Sequence, residues 1–230
     1  MSTPTQQIQG YDDLNHLMSL MTGDEKHDAA STSTLDVLWV LYDRILDVGP
    51  DRIDDPDRDR FYLSKGHGPV AYYAVLAANG FIPVDWLSEW GTFDSPLGYH
   101  PDRNLVPGIE IASGSLGHGL PMAVGTALGL RAQRIDSRVV VLVGDAELDE
   151  GSNHEALELA AALRLDNLTT IVIDNRSSSY AVPGRVAARF ATEGWDVTSV
   201  NGRDHDALAE AFAVARNGRP HAVVARVEDK

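Results

Sequence analysis

The chain moves between two hydrophobic rhythms. Residues 139–143 and 168–174 are short, β-branched apolar runs of the kind that form strands buried on both faces. Between them, residues 150–163 carry alanine and leucine at helical spacing. The same reasoning predicts strands at 61–64, 195–200 and 221–226, and helices at 34–46, 69–79, 120–134 and 205–216. Leu35, Leu38, Trp39, Tyr42, Ile45 and Leu46 share one side of the 34–46 helix, and Gly80 reads as the C-cap of the 69–79 helix. Residues 11–30 hold an imperfect helical pattern. Strands alternating with helices predict an α/β fold, a doubly wound and mostly parallel sheet with helices on both faces. No repeat and no convincing boundary interrupts the pattern, so residues 1–230 read as a single domain with a flexible tail at 1–10. One stretch resists assignment. Residues 91–119 are rich in glycine and proline with little period, and a loop of that length is usually functional or misread.

Two polar residues end the clearest strands. Asp145 follows Val139-Val140-Val141-Leu142-Val143-Gly144, and Asn175 follows Leu168-Thr169-Thr170-Ile171-Val172-Ile173-Asp174. A strand, a crossover helix and a second strand are expected to be parallel neighbours with a right-handed crossover. Both residues then reach the carboxyl edge of the sheet, where open α/β folds bind ligands. A carboxylate and an amide oxygen, both hard donors above a helix N-terminus, suit Mg²⁺ carrying a phosphorylated ligand. The plainer reading is a turn at Asp145 and a strand cap at Asn175.

Composition narrows the partners. The hydrophobic share of 43% is ordinary for a globular protein, and the formal charge of -15 disfavours a nucleic-acid backbone or an anionic membrane. The mixed charges of residues 51–60 read as a solvated loop. With no cysteine, neither disulfides nor thiolate chemistry can be invoked. The first residues lack the features of a signal peptide and no apolar stretch reaches spanning length, so a cytoplasmic protein is expected.

Four ordered segments resemble one family. They are Leu63-Ser64-Lys65-Gly66-His67, Gly98-Tyr99-His100-Pro101-Asp102, Gly114-Ser115-Leu116-Gly117-His118-Gly119-Leu120, and the run from Gly144-Asp145-Ala146 through Glu150-Gly151 to Asp174-Asn175. Together they resemble the transketolases, which use thiamine diphosphate, and the resemblance extends from about Phe61 to the end. It implies that Asp145, Asn175 and the backbone carbonyl of Ser177 bind Mg²⁺, which carries the coenzyme's diphosphate. Gly144 and Ala146 would lie against that diphosphate. The family has glycine where Ala146 stands, and the added methyl is tolerable if φ there is negative. His67 would sit near the diphosphate and thiazolium, and His100 near the substrate hydroxyls. Gly114, Ser115 and Leu116 would hold the aminopyrimidine ring. Histidines can move protons among sugar hydroxyls at neutral pH.

The resemblance also marks what is missing. Full transketolases have three domains, and the one supplying the glutamate that activates the coenzyme has no counterpart here. The expected function is therefore that of the N-terminal subunit of a split transketolase. It would transfer a two-carbon ketol unit from a ketose to an aldose-type acceptor, active only with a separate pyrimidine-domain subunit, as an α₂β₂ assembly. Residues 29–35 show no histidine where the family has Ser-Gly-His-x-Gly, and the chain stops at Val227-Glu228-Asp229-Lys230, before the family's Lys-Gly-x-Gly loop. Those departures leave two alternatives: another thiamine diphosphate reaction, such as 2-oxo acid decarboxylation or acyloin formation, or a non-catalytic partner-binding paralogue. His118 and His154 read as packing or interface residues, and Glu150 and Glu155 as interface or solvated acids. Arg185, Arg189 and Arg203 are minor candidates for a substrate phosphate.

Overall fold

The computed structural model describes residues 10–22, 32–178 and 182–229. Its centre is a five-stranded sheet in the order β1-β2-β3-β5-β4, in which every neighbouring pair is parallel. The strands are β1 (Arg60–Leu63), β2 (Val139–Gly144), β3 (Leu168–Asp174), β4 (Asp196–Asn201) and β5 (His221–Arg226). Seven α-helices accompany them among the described residues: α1 (Leu14–Leu20), α2 (Leu35–Val40), α3 (Pro69–Ala78), α4 (Gly119–Gln133), α5 (Gly151–Ala162), α6 (Arg185–Thr192) and α7 (His205–Phe212).

Strand side chains alternate between two cores. Phe61, Val140, Leu142, Ile171, Ile173, Val223 and Ala225 pack with α1, α2, α3 and α7 on one face. Tyr62, Val139, Val141, Val143, Leu168, Val172 and Ala222 pack with α4, α5 and Phe190 of α6 on the other. Every residue of β2 is buried, which explains its unbroken apolar run. Each such branched side chain contributes about 1.5–3 kcal/mol by leaving water. The doubly wound sheet expected from the sequence is the architecture observed.

Several elements differ from the sequence pattern. Of the predicted helix at 11–30, the described residues show α1 and the preceding short turn Tyr11–Asp13, and α1 ends where Met21 becomes extended; residues 23–31 lie outside the described set, as do residues 1–9. Helix α7 stops at Phe212 rather than 216, since Val214 is exposed and Arg216 turns to pair with Asp136. Helix α6 is not expected from the sequence, because its eight residues are too short a window for a helical period to be read. The predicted helix 34–46 is α2 continued by a π-helical turn, Leu41–Ile45. Gly80 closes α3 as expected: its φ is +76°, and the Phe81 amide donates to the Leu76 carbonyl at 2.9 Å. Among the described residues, no helix is long and apolar enough to cross a membrane.

Candidate active site

Strand register sets the first half of the site. Gly144 pairs with Ile173, and the Asp145 amide donates to the Ile173 carbonyl at 3.1 Å, so β2 and β3 end side by side. Asp145 and Asn175 are each 3% exposed. Arg176 adopts the left-handed conformation, φ +53°, which turns the chain back over the β2 tip. Ser177 then donates through Oγ to Asp145 Oδ1 at 2.6 Å and through its amide to Asn175 Oδ1 at 3.3 Å. The Ser178 amide donates to Asp145 Oδ2 at 3.3 Å, and the Ala146 amide to Oδ1 at 2.9 Å. The structure thus brings Asp145, Asn175 and Ser177 together. Asp145 has no ion-pair partner among the described residues, although it is almost fully buried.

Ala146 begins the short turn Ala146–Asp149, with Asp145 as its cap at φ -61°. Ala146 is not among the residues with positive φ, so its methyl group brings no backbone strain and its amide is retained.

The second half of the site is a cavity of about 270 Å³ lined by Gly66, His67, Val70, Trp90, Tyr99, His100, Gly114 and Leu116. His67 follows β1 and precedes the proline that starts α3, while His100 and Gly114 come from the long irregular stretch. That stretch is held firmly. Tyr73 Oη and Trp90 Nε1 both donate to the Gly98 carbonyl, at 3.0 and 3.2 Å, fixing the chain just before His100. The Ser113 amide donates to the Pro101 carbonyl at 3.1 Å, which ties the His100 segment to the Gly114 segment. Gly114 has φ +119°, and a Cβ there would lie 2.8 Å from the His100 ring. Only glycine allows both the turn and the close approach.

The two halves flank a buried carboxylate that the sequence motifs do not mark. Glu147, 2% exposed, accepts from Ser64 Oγ, from the Gly117 amide at 3.0 Å and from the Gly144 amide at 3.3 Å. Burial raises its pKa, against the lowering effect of those bonds. The one signal available in the sequence is an acid two residues beyond a strand tip, which a solvated turn would also explain. Lys65 lies alongside: its stem covers Gly144, and Nζ donates to the His67 carbonyl.

Ser115 and His118 are exposed and approach each other at 3.5 Å. His154 is exposed on α5 and contacts Arg189. Glu150 and Glu155 are exposed. Arg203 is ion-paired with Asp36 at 2.6 Å and with Glu228. Arg185 and Arg189 line a cavity of about 120 Å³ that also includes Asp145. Residues 29–31, part of the stretch without the expected histidine, lie outside the described residues, as does His27 two positions earlier.

These features fit a coenzyme with a charged tail and a flat ring. A carboxylate, an amide oxygen and a backbone carbonyl are the hard oxygen donors that would suit a divalent cation carrying a phosphate. Gly66 and Gly114 both line the cavity, and their lack of side chains lets the His67 turn and the Gly114 segment close against the His100 ring. The Ser113 hydroxyl beside it is buried and lacks a hydrogen-bond partner among the described residues.

Comparison with known proteins agrees. Residues 19–227 match the family described as transketolase, thiamine diphosphate binding domain. The chain is 57% identical to a protein named Ferredoxin fas2 from Rhodococcoides fascians, over 94% of this chain and 72% of that one. Iron–sulfur clusters are held by cysteine thiolates, and this chain has no cysteine, so the ferredoxin name has no counterpart in it. It is 37% identical to one subunit of the apulose-4-phosphate transketolase of Actinobacillus succinogenes, over 86% of this chain and 75% of that one. The fold matches transketolase from Leishmania mexicana with a TM-score of 0.79 and 27% identity, covering 95% of this chain but 37% of that one. By sequence and by fold, this chain belongs to the transketolase family, as a thiamine diphosphate-dependent transferase component that spans the family's coenzyme-binding domain.

Proposed function

We propose that the chain is the N-terminal subunit of a split transketolase, which transfers a two-carbon ketol unit from a ketose to an aldose-type acceptor. A second polypeptide would carry the pyrimidine-binding domain. The observation that carries this reading is the buried carboxylate of Asp145, held beside Asn175 and Ser177 and set next to a cavity with two histidines. A relative that is itself named as one subunit of a transketolase supports the split arrangement. Mg²⁺, an α₂β₂ stoichiometry, a cytoplasmic setting and a single domain over residues 1–230 belong to the same reading.

Bound thiamine diphosphate supplies a nucleophilic carbon and an electron sink. The remaining work falls to this chain. Asp145, Asn175 and the Ser177 carbonyl would hold the cation, and Gly144 and the Ala146 amide would face the diphosphate. Gly114, Ser115 and Leu116 would hold the aminopyrimidine ring, and His67 would stand beside the thiazolium end. In the transfer, the donor C2–C3 bond breaks and a bond forms to the acceptor's carbonyl carbon. The donor's C3 hydroxyl proton leaves as its oxygen becomes a carbonyl, and the acceptor's carbonyl oxygen takes up a proton. His100 would accept the first and return the second.

The test is reconstitution. The chain is co-expressed with a pyrimidine-domain chain, supplied with thiamine diphosphate and Mg²⁺, and assayed for ketol transfer. Turnover only in the presence of both chains is expected; turnover by this chain alone, or none with either, overturns the split-subunit reading.

A further inference from the structure

Glu147 lines neither of the two cavities, yet three segments that bear predicted ligand groups end on its carboxylate. Ser64 immediately precedes Lys65-Gly66-His67. Gly117 immediately follows Gly114-Ser115-Leu116. Gly144 immediately precedes Asp145. All three donate to Glu147 and none accepts from it, so the ionised carboxylate is the matching form.

The surroundings leave these segments little freedom. Ser64 Oγ, while donating to Glu147, accepts from the Gly119 amide at 3.0 Å. A Cβ on Gly119 would collide with that same oxygen. Gly117 is gripped from both sides: Glu147 takes its amide, and Ser152 Oγ donates to its carbonyl at 2.6 Å. Its φ is +80°, and a Cβ there would meet Ser152 Oγ at 2.6 Å. Glu147 is itself anchored by its carbonyl, which accepts from Asn153 Nδ2 at 2.7 Å.

We propose that Glu147 is a positioning residue that locks the coenzyme-ring loop and the His67 turn to the strand tip bearing Asp145, so that one coenzyme is gripped at ring and tail together. This rests on the split-transketolase reading, because it needs a ligand that spans both halves. A buried carboxylate costs free energy to desolvate, and three donors from three segments offset that cost only when all three segments are correctly placed. The carboxylate therefore couples their positions.

The sheet supplies its own control. Asp59, 4% exposed, sits at the opposite end of the sheet and also accepts three bonds: from the Arg138 amide at 2.8 Å, from Arg138 Nε at 3.1 Å and from the Asp47 amide at 3.1 Å. It holds structure and no ligand segment. Glu147→Gln and Asp59→Asn are compared in the reconstituted complex by titrating thiamine diphosphate at saturating Mg²⁺, with melting of the unliganded complex measured alongside. The carboxamide sets an N–H against one of the donors, so Glu147→Gln should weaken coenzyme binding about tenfold and lower kcat, with the ketose KM within about twofold. Asp59→Asn should lower the melting midpoint comparably and leave coenzyme affinity unchanged. If Glu147→Gln behaves like Asp59→Asn, losing stability without losing affinity, the proposal is overturned. Should Glu147→Gln fail to fold, Ser64→Ala removes one arm of the clamp with Glu147 in place. It should weaken coenzyme binding about threefold, and an unchanged affinity overturns the proposal equally. A wild-type complex that binds no coenzyme is a different failure, that of the functional reading itself.

Discussion

The two ends of the sheet treat buried carboxylates in opposite ways. At the amino edge, Asp59 faces the guanidinium of Arg138 at 3.1 Å, and Ser137 Oγ donates to the Asp57 carbonyl at 2.7 Å nearby. Charge meets charge within the chain, and the edge is closed. At the carboxyl edge, Asp145 is as deeply buried but is met, among the described residues, by two amides and a hydroxyl. A buried anion without a counter-charge is costly unless something outside the chain supplies one. The comparison teaches that burial alone does not mark a site. Asp59 finds its counter-charge within the chain, and the proposed function supplies that of Asp145 from a bound cation.

The largest effect should follow from removing that anion. Asp145→Ala should abolish the stabilisation that Mg²⁺ and thiamine diphosphate give the complex, about 3 kcal/mol at a hundredfold excess over the dissociation constant. The unliganded melting midpoint should hold or rise, because an uncompensated charge has gone. Unchanged coenzyme stabilisation in differential scanning fluorimetry would falsify the metal assignment and erase the contrast between the edges.

Next comes the cavity. Gly114→Ala forces a methyl to within 2.8 Å of the His100 ring at a backbone φ of +119°. Coenzyme affinity and kcat should both fall, each by about tenfold or more, since strain of about 1–3 kcal/mol is concentrated at the site. Wild-type kinetics in that variant would show that the loop is not part of the coenzyme grip. His67→Ala is the sharper probe of chemistry. Turnover should drop by about a hundredfold, within the range for a positioned proton-transfer group, while coenzyme affinity changes much less. Equal losses in the two would make His67 a binding residue only.

Much of this edge is legible in the sequence. The β-branched runs before Asp145 and Asn175 can be little else than buried parallel strands, and their register delivers both residues to one place. The glycines of residues 91–119 signal a functional loop, and φ values of +119° at Gly114 and +80° at Gly117 show why glycine is required. Glu147 is not legible. Its role depends on Ser64 and Gly117, 83 and 30 residues away, and no local pattern reports such partners. Asp59 is misjudged for the same reason, as one acid of a solvated run when its partner Arg138 lies 79 residues on. Helix α6 escapes because its eight residues, with only Val186 and Phe190 facing the core, fall short of the window over which a helical period is read.

The smallest expected effect tests whether position on the carboxyl edge matters at all once a carboxylate is paired. Asp36 lies near the tips of β4 and β5, bonded by Tyr11 at 2.8 Å, Arg203 at 2.6 Å and His205 at 2.9 Å; Arg203 reaches on to Glu228. Burial alone would raise the Asp36 pKa, but the bonds from Tyr11, Arg203 and His205 outweigh it and lower it below the ordinary carboxylate value. A carboxylate whose folded pKa is depressed stabilises the fold above its unfolded pKa, about 3.9, and that contribution disappears as pH falls through the folded pKa. Asp36→Asn should therefore melt at a lower temperature than wild type at neutral pH, with the gap closing below about pH 4. Coenzyme affinity should not change. A gap that persists unaltered into acid would mean that packing rather than charge holds this corner. Weakened coenzyme binding would mean that the whole carboxyl edge, paired or not, belongs to the site, and the distinction drawn from Asp59 and Asp145 would lose its force.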